Sequence, residues 1–335
     1  MAEIVFGLGS SHGPLLALPP DMWSLRAEDD KKNPSLEYRG EKYKWDDLRD
    51  LRMAENIAAQ IELPVREERH AACQAHIKEL GNRLADVNPD VLVIVGDDQH
   101  EWFQPENMPT FAVFYGDHVL NRPPAKDIEK KSKALALAAM NYRTPDDVRY
   151  ETEPDLAMKI ISQAKDDGFD IATCGGIPQG EQGNIGIGHA FGYVQRRICN
   201  DKPIPFVPVM LNTFYPPNQA TPKRCFEFGQ MLGRAIRDWD SDKKVAIVAS
   251  GGLSHFVIDE EHDQRMIAAF KANDPSGLTS EPDELFRSGT SETKNWITSA
   301  GALSESGLTI DMFEYVPCYR SEAGTGNAMG FATWT

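Results

Sequence analysis

The sequence predicts an α/β fold: a single domain whose central, mostly parallel or mixed sheet is covered by helices on both faces. Three observations carry this expectation. Runs rich in Val, Ile and Phe recur along the whole chain, several of them are apolar on both faces, and helical patterns fall between them. Strands covered on both sides read as continuous apolar runs, and alternation with helices is the signature of a layered α/β sheet.

The first such run is EIVFGLG, residues 3–9. Residues 20–69 differ: they are polar with scattered aromatics, and read as a long insertion, partly helical, laid over the domain or over a pocket. Cys73, Ile77, Leu80 and Leu84 then repeat at helical spacing, placing a helix with one buried stripe before the next strand. That strand is VLVIVG, 91–96, followed by TFAVFYG (110–116) and FDIATCG (169–175). A glycine-rich stretch, 175–198, leads into a helix beginning near His189. It lacks the lysine and the spacing of a phosphate loop, so a histidine held at a site wall is the better reading. PFVPVML (205–211) gives another strand. Thr221-Pro222 then opens a helix as cap and first-turn proline, with Cys225, Phe228, Leu232, Ala235 and Ile236 on one stripe. KVAIVAS (244–250) closes the series. With no internal repeat and no linker, residues 1–335 are expected to form one domain.

Composition narrows the function classes. The 335 residues carry 35 Lys+Arg against 51 Asp+Glu, a net charge of −16, which argues against nucleic acid or an anionic membrane as partner. Cys73, Cys174, Cys199, Cys225 and Cys318 are odd in number and contain no CxxC. They read as reduced thiols of a cytoplasmic protein. The N-terminal residues lack the basic and apolar regions of a signal peptide, and no apolar run approaches the ~18 residues of a membrane span.

Chemistry is concentrated at strand ends. His12 follows the strand at 3–9, His100 follows 91–96, and His255 follows 244–250. Ligand sites in open α/β sheets gather outside the carboxyl ends of strands, so three strands can aim imidazoles into one crevice. The strand at 91–96 runs into Asp97-Asp98-Gln99-His100-Glu101, and such groups are costly to bury unpaired. They must face water, hold each other, or hold something else. An acidic Mg2+ site is one alternative, but it leaves His12 and His255 unexplained. Glu292, in SETKNWITSAGAL, suits the first turn of a helix and, beside these histidines, is a candidate carboxylate ligand.

SSHGP, the strand ending in an Asp/His cluster, TFYPPNQATPKRCFEFG, SGGLSHF and SETKNWITSAGAL occur in this order. The combination resembles the class III extradiol ring-cleaving dioxygenases, whose type member is the catalytic beta subunit of protocatechuate 4,5-dioxygenase. The insertion and GDDQHE look closer to the single-chain gallate and 3-O-methylgallate branch. The resemblance implies one non-haem Fe(II) bound by two histidines and a glutamate, with His12 and Glu292 as two of the three. The second histidine position is Gln99 when counted back from Phe103 and His100 when counted forward from the strand. Iron prefers imidazole to a neutral amide, which favours His100. His255 matches the catalytic acid/base, and His189 the second active-site histidine. Thr325, Asn327 and Arg320 fall in a segment, 319–331, that resembles a substrate-contacting loop. The implied activity is extradiol (meta) cleavage by O2 of a catecholic aromatic acid of the 3-O-methylgallate, gallate or protocatechuate type, carried out by a homodimer. The alternative is a non-catalytic metal-binding or interaction protein on the same fold.

Overall fold

The computed structural model describes residues 1–125, 128–178 and 185–335. Residues 179–184, in the glycine-rich stretch before His189, lie outside the described residues. Among the described residues the fold is α/β, built on a nine-stranded mixed sheet. Its centre is four parallel strands, in the spatial order Glu3–Ser10, Lys244–Ser250, Val91–Asp97 and Phe206–Leu211. Phe111–Phe114 runs antiparallel to Phe206–Leu211, and Ala172–Cys174 pairs parallel to it at that edge. At the other side Thr325–Trp334 pairs antiparallel with Glu3–Ser10, and carries both His255–Val257 and Ile310–Tyr319.

The double covering is visible in one strand. All of Val91–Asp97 is buried. Val91, Val93 and Val95 pack into one core, and Leu92 and Ile94 into the other, as the two-residue period of a strand requires. Helices Pro222–Arg237 and Thr293–Leu303 cover the first face. Leu63–Val87 and the helix begun by His189–Tyr193 cover the second. The expected stripe of Cys73, Ile77, Leu80 and Leu84 is buried on Leu63–Val87. Thr221 caps the helix that follows it, its Oγ1 accepting the Arg224 N–H at 3.2 Å ahead of Pro222. Among the described residues no helix is long and apolar enough to cross a membrane.

One region departs from the sequence reading. Residues 319–331 are a loop only at 320–324, a turn after Ile310–Tyr319; Thr325–Trp334 is a strand buried over its whole length, whose small residues fit between a neighbouring strand on each side. The polar stretch 20–69 is partly helical. Helix Trp23–Lys32, the hairpin Leu36–Tyr38/Glu41–Tyr43 and helix Trp45–Leu51 precede Leu63–Val87, which starts within it. Leu36, Tyr38, Trp45 and Leu48 form their own small core with Val257 and Ala323. A polar latch completes the attachment. Arg320, with a side chain 0% exposed, gives Asp30 two parallel hydrogen bonds at 2.6 and 2.8 Å. Thr325 donates to the same carboxylate, and Trp45 donates to Ser321.

Candidate metal centre and active site

The site lies at the carboxyl ends of Glu3–Ser10, Val91–Asp97 and Lys244–Ser250, the middle of the parallel part of the sheet. His12 follows the first strand by two residues, Asp97 ends the second, and Gly251–Gly252 turn the chain after the third. Glu292 is brought in from the entrance to helix Thr293–Leu303, and His189 from the start of its own helix.

Each imidazole is fixed from behind at Nδ1. Ser250 Oγ donates to the Ala190 carbonyl at 2.7 Å, so its contact with His12 Nδ1 at 3.0 Å has the imidazole as donor. This leaves a lone pair on His12 Nε2, an atom that is buried with no hydrogen-bond partner. His255 Nδ1 donates to the Leu253 carbonyl at 2.8 Å. His189 Nδ1 lies 2.6 Å from Glu101 Oε2, and Glu101 also accepts the His189 backbone N–H at 2.8 Å. Anchoring one ring nitrogen in this way orients the other, a common arrangement behind metal-bound or catalytic histidines.

The three Nε2 atoms converge on carboxylates. Glu292 Oε2 is 3.2 Å from His12 Nε2, and Oε1 is 3.2 Å from His255 Nε2. The Gly252 N–H holds Oε2 at 2.7 Å. A side chain at Gly252 would put its Cβ 2.6 Å from the His255 ring, so the approach of backbone to carboxylate requires glycine there. Asp97 Oδ1 is 3.9 Å from His12 Nε2, and Oδ2 is 3.7 Å from His189 Nε2. The His12 and His189 rings meet edge to face with centroids 4.6 Å apart.

Electrostatics follow from burial and pairing. Burial would raise the Glu292 carboxyl, but His255 and His12 hold it well below the usual carboxylate range. Burial raises Asp97, with the charge of Glu292 adding to the effect. Burial would lower His189, but Glu101 outweighs it and, with Asp97 and Glu292, pushes the imidazole up to about 10. His255 is raised despite burial because Glu292 faces it. Two buried carboxylates around unpartnered nitrogen make a pocket for a cation. The donor set, imidazole and carboxylate, fits a divalent first-row metal.

Of the residues expected at the site, the structure thus brings together His12, Glu292, His255 and His189. His100 is engaged elsewhere. Its backbone adopts a left-handed conformation (φ 59°), its ring stacks on Tyr215 at 3.6 Å, and Nδ1 meets the Phe103 carbonyl at 3.0 Å. Asn327 faces His255 across the antiparallel pair, while its Oδ1 accepts from Arg320 Nη1 at 3.1 Å. Arg320 Nε and Nη2 and the Thr325 hydroxyl donate to Asp30. Of the acids around His100, Asp98 accepts the Trp102 and Phe103 N–H groups and Glu101 orients His189. Ser250, behind His12, and Asn295, whose Nδ2 donates to Asp97 Oδ1 at 3.1 Å, carry no local sequence signal, because both act through residues distant in the chain.

Residues 61–325 match the family described as the catalytic LigB subunit of aromatic ring-opening dioxygenase. The chain belongs to this family. The LigB match spans Asp97, His189, His255 and Glu292 but begins beyond His12. Gallate dioxygenase of Pseudomonas putida is 35% identical over 118 residues, 32% of this chain and 34% of that protein. The 2,3-dihydroxyphenylpropionate/2,3-dihydroxicinnamic acid 1,2-dioxygenase of Photorhabdus laumondii subsp. laumondii is 24% identical over 194 residues, 55% of this chain and 50% of that protein. The matched stretches therefore span from about a third to half of these curated relatives.

Proposed function

We propose that this LigB-family chain is a non-haem Fe(II)-dependent dioxygenase that opens the ring of a catecholic aromatic acid beside its diol, using O2. The observation that carries this reading is Glu292 standing between two imidazoles, with His12 Nε2 and His255 Nε2 each 3.2 Å from one of its oxygens. His12 and Glu292 would hold the metal. Fe(II), when bound, supplies Lewis acidity toward the diol and electron transfer toward O2.

The protein's own part is proton management and exclusion of water. His255 is anchored at Nδ1 by the Leu253 carbonyl, so its Nε2 is the atom that takes a proton from the second phenol and later returns it. His189, kept protonated by Glu101, presents Nε2–H, 3.7 Å from Asp97 Oδ2, as a fixed hydrogen-bond donor. His12, His255, Asp97 and Glu292 are all buried, which strengthens each of these electrostatic contacts. The substrate type we propose is gallate, 3-O-methylgallate or protocatechuate, and the gallate dioxygenase name of one relative supports the first of these.

The test is O2 uptake by anaerobically purified, Fe(II)-loaded protein given a panel of methoxylated and carboxylated catechols. Consumption coupled to a ring-opened product supports the proposal, and silence across the panel overturns it. His255→Phe is expected to lower turnover by about 100-fold or more while iron is retained, in the range of a lost general acid–base.

A further inference from the structure

We infer that the third protein ligand of this metal is the carboxylate of Asp97, completing a face of one imidazole and two carboxylates, and that no side chain at 99 or 100 binds it. The inference rests on the metal-dependent reading above and concerns which residues of this chain hold the ion.

Geometry separates the candidates. Imidazole nitrogen and carboxylate oxygen bind such ions at about 2.0–2.2 Å, so two donors of one ion lie roughly 3–4 Å apart. His12 Nε2 to Glu292 Oε2 is 3.2 Å and His12 Nε2 to Asp97 Oδ1 is 3.9 Å. Donor atoms of His12, Asp97 and His189 all lie within 4.8 Å of one another. His12 Nε2, on a side chain only 5% exposed, has no hydrogen-bond partner and is aimed into this space. Its ligating lone pair is therefore already directed at the gap between the two carboxylates.

Asp97 is also held as a ligand should be. Asn295 Nδ2 donates to its Oδ1 at 3.1 Å and to the Ser250 carbonyl at 2.9 Å. Ser250 is the residue whose hydroxyl orients His12, so one set of hydrogen bonds positions both. On the other oxygen, Gln99 Nε2 donates to Asp97 Oδ2 at 3.1 Å, and Tyr215 OH donates to Gln99 Oε1 at 3.4 Å. The Gln99 amide is thus the strut that turns Asp97 inward. His100, which follows it, is committed to Phe103 and Tyr215. Two carboxylates neutralise a divalent ion completely, where a two-histidine, one-carboxylate face leaves one positive charge.

The experiment measures Fe(II) and Co(II) affinity anaerobically by competition with a chromogenic chelator, without substrate or turnover. Asp97→Asn is expected to weaken binding by about 100-fold or more, Gln99→Ala by about 10-fold as an orienting partner, and His100→Ala by less than about twofold. Asp97→Asn that keeps the wild-type affinity overturns the assignment, as does a loss near 100-fold in His100→Ala or Gln99→Ala. Should Asp97→Asn fail to fold by circular dichroism, His100→Ala and Gln99→Ala decide alone: retention supports Asp97, and a 100-fold loss in either refutes it. A wild-type chain that binds neither metal overturns the dioxygenase reading itself, so the two failures are distinguishable.

Discussion

Removing the Asp30 carboxylate should release the region around residues 20–60 from the sheet. Asp30 lies on helix Trp23–Lys32 and accepts three hydrogen bonds: from Arg320 Nε at 2.6 Å, Arg320 Nη2 at 2.8 Å and Thr325 Oγ1 at 2.6 Å. Asp30→Ala leaves the Arg320 guanidinium buried, with Asn327 as its remaining side-chain partner. Breaking a buried pair from one side costs roughly 3–5 kcal/mol, because the surviving charge is left uncompensated. Most of that cost is the stranded charge rather than the attraction itself. Asp30→Leu combined with Arg320→Met should therefore recover to within about 1–2 kcal/mol of wild type. Urea unfolding measures the global loss. Hydrogen exchange should show Trp23–Lys32 and Trp45–Leu51 opening before the central strands, since both helices meet the body at this latch. An Asp30→Ala cost below about 1 kcal/mol, or a double variant no more stable than Asp30→Ala, would refute the reasoning.

Two further perturbations test other parts of the structure. Gly229 sits where helix Pro222–Arg237 meets helix Thr293–Leu303, and an added Cβ would fall on the Thr298 carbonyl oxygen. Overpacking costs about 1–3 kcal/mol where side chains can shift, and here the obstacle is backbone. Gly229→Ala should lower the thermal midpoint by several degrees, and an unchanged midpoint contradicts the close packing. Asp263 is buried, accepts from Ser254 and Tyr315, and is pushed up to about 6 by that burial. Its folded state then binds more protons than its unfolded state between about pH 4 and 6, so this group's contribution falls as pH rises through that window and is flat above it. The stability of wild type relative to Asp263→Asn should drop by roughly 2–3 kcal/mol between pH 4 and 7. Urea titrations at both pH values check this, and a pH-independent difference would contradict it.

Much of the fold was legible because its central strands announce themselves by composition. Val91–Asp97, Phe206–Leu211 and Lys244–Ser250 are covered on both faces, and an uninterrupted β-branched run has few other destinies. Thr325–Trp334 escaped because its sequence, TGNAMGFATW, is small rather than β-branched. There, burial comes from the neighbours on both sides, Glu3–Ser10 and Ile310–Tyr319, and no local pattern records that. The attachment of 20–69 to the body escaped for a related reason. Arg320–Asp30 joins residues 290 positions apart, and Trp45 to Ser321 joins residues 276 apart. Neither partner looks structural by itself, since a lone Asp or Arg in a polar stretch is ordinarily solvated.

The site divides along the same line. Position relative to strand ends is local information, and it points to His12, His100 and His255 together; His12 and His255 each lie 3.2 Å from an oxygen of Glu292, whereas His100 is held by Phe103 and Tyr215. Choosing among Asp97, Gln99 and His100 is different, because three residues within four positions can all be carried to the same strand end. Residue chemistry favours the imidazole, but backbone geometry acts first. The strand delivers Asp97 to the cluster while it is still hydrogen-bonded in the sheet, paired with Leu211. By His100 the chain has passed into a left-handed turn, and the ring has found Tyr215. Preference for a ligand type can act only on side chains that the backbone presents. At this strand end the carboxylate is presented and the imidazole is not, so the amide of Gln99 has a reason to stand between them: it fixes the group that is there.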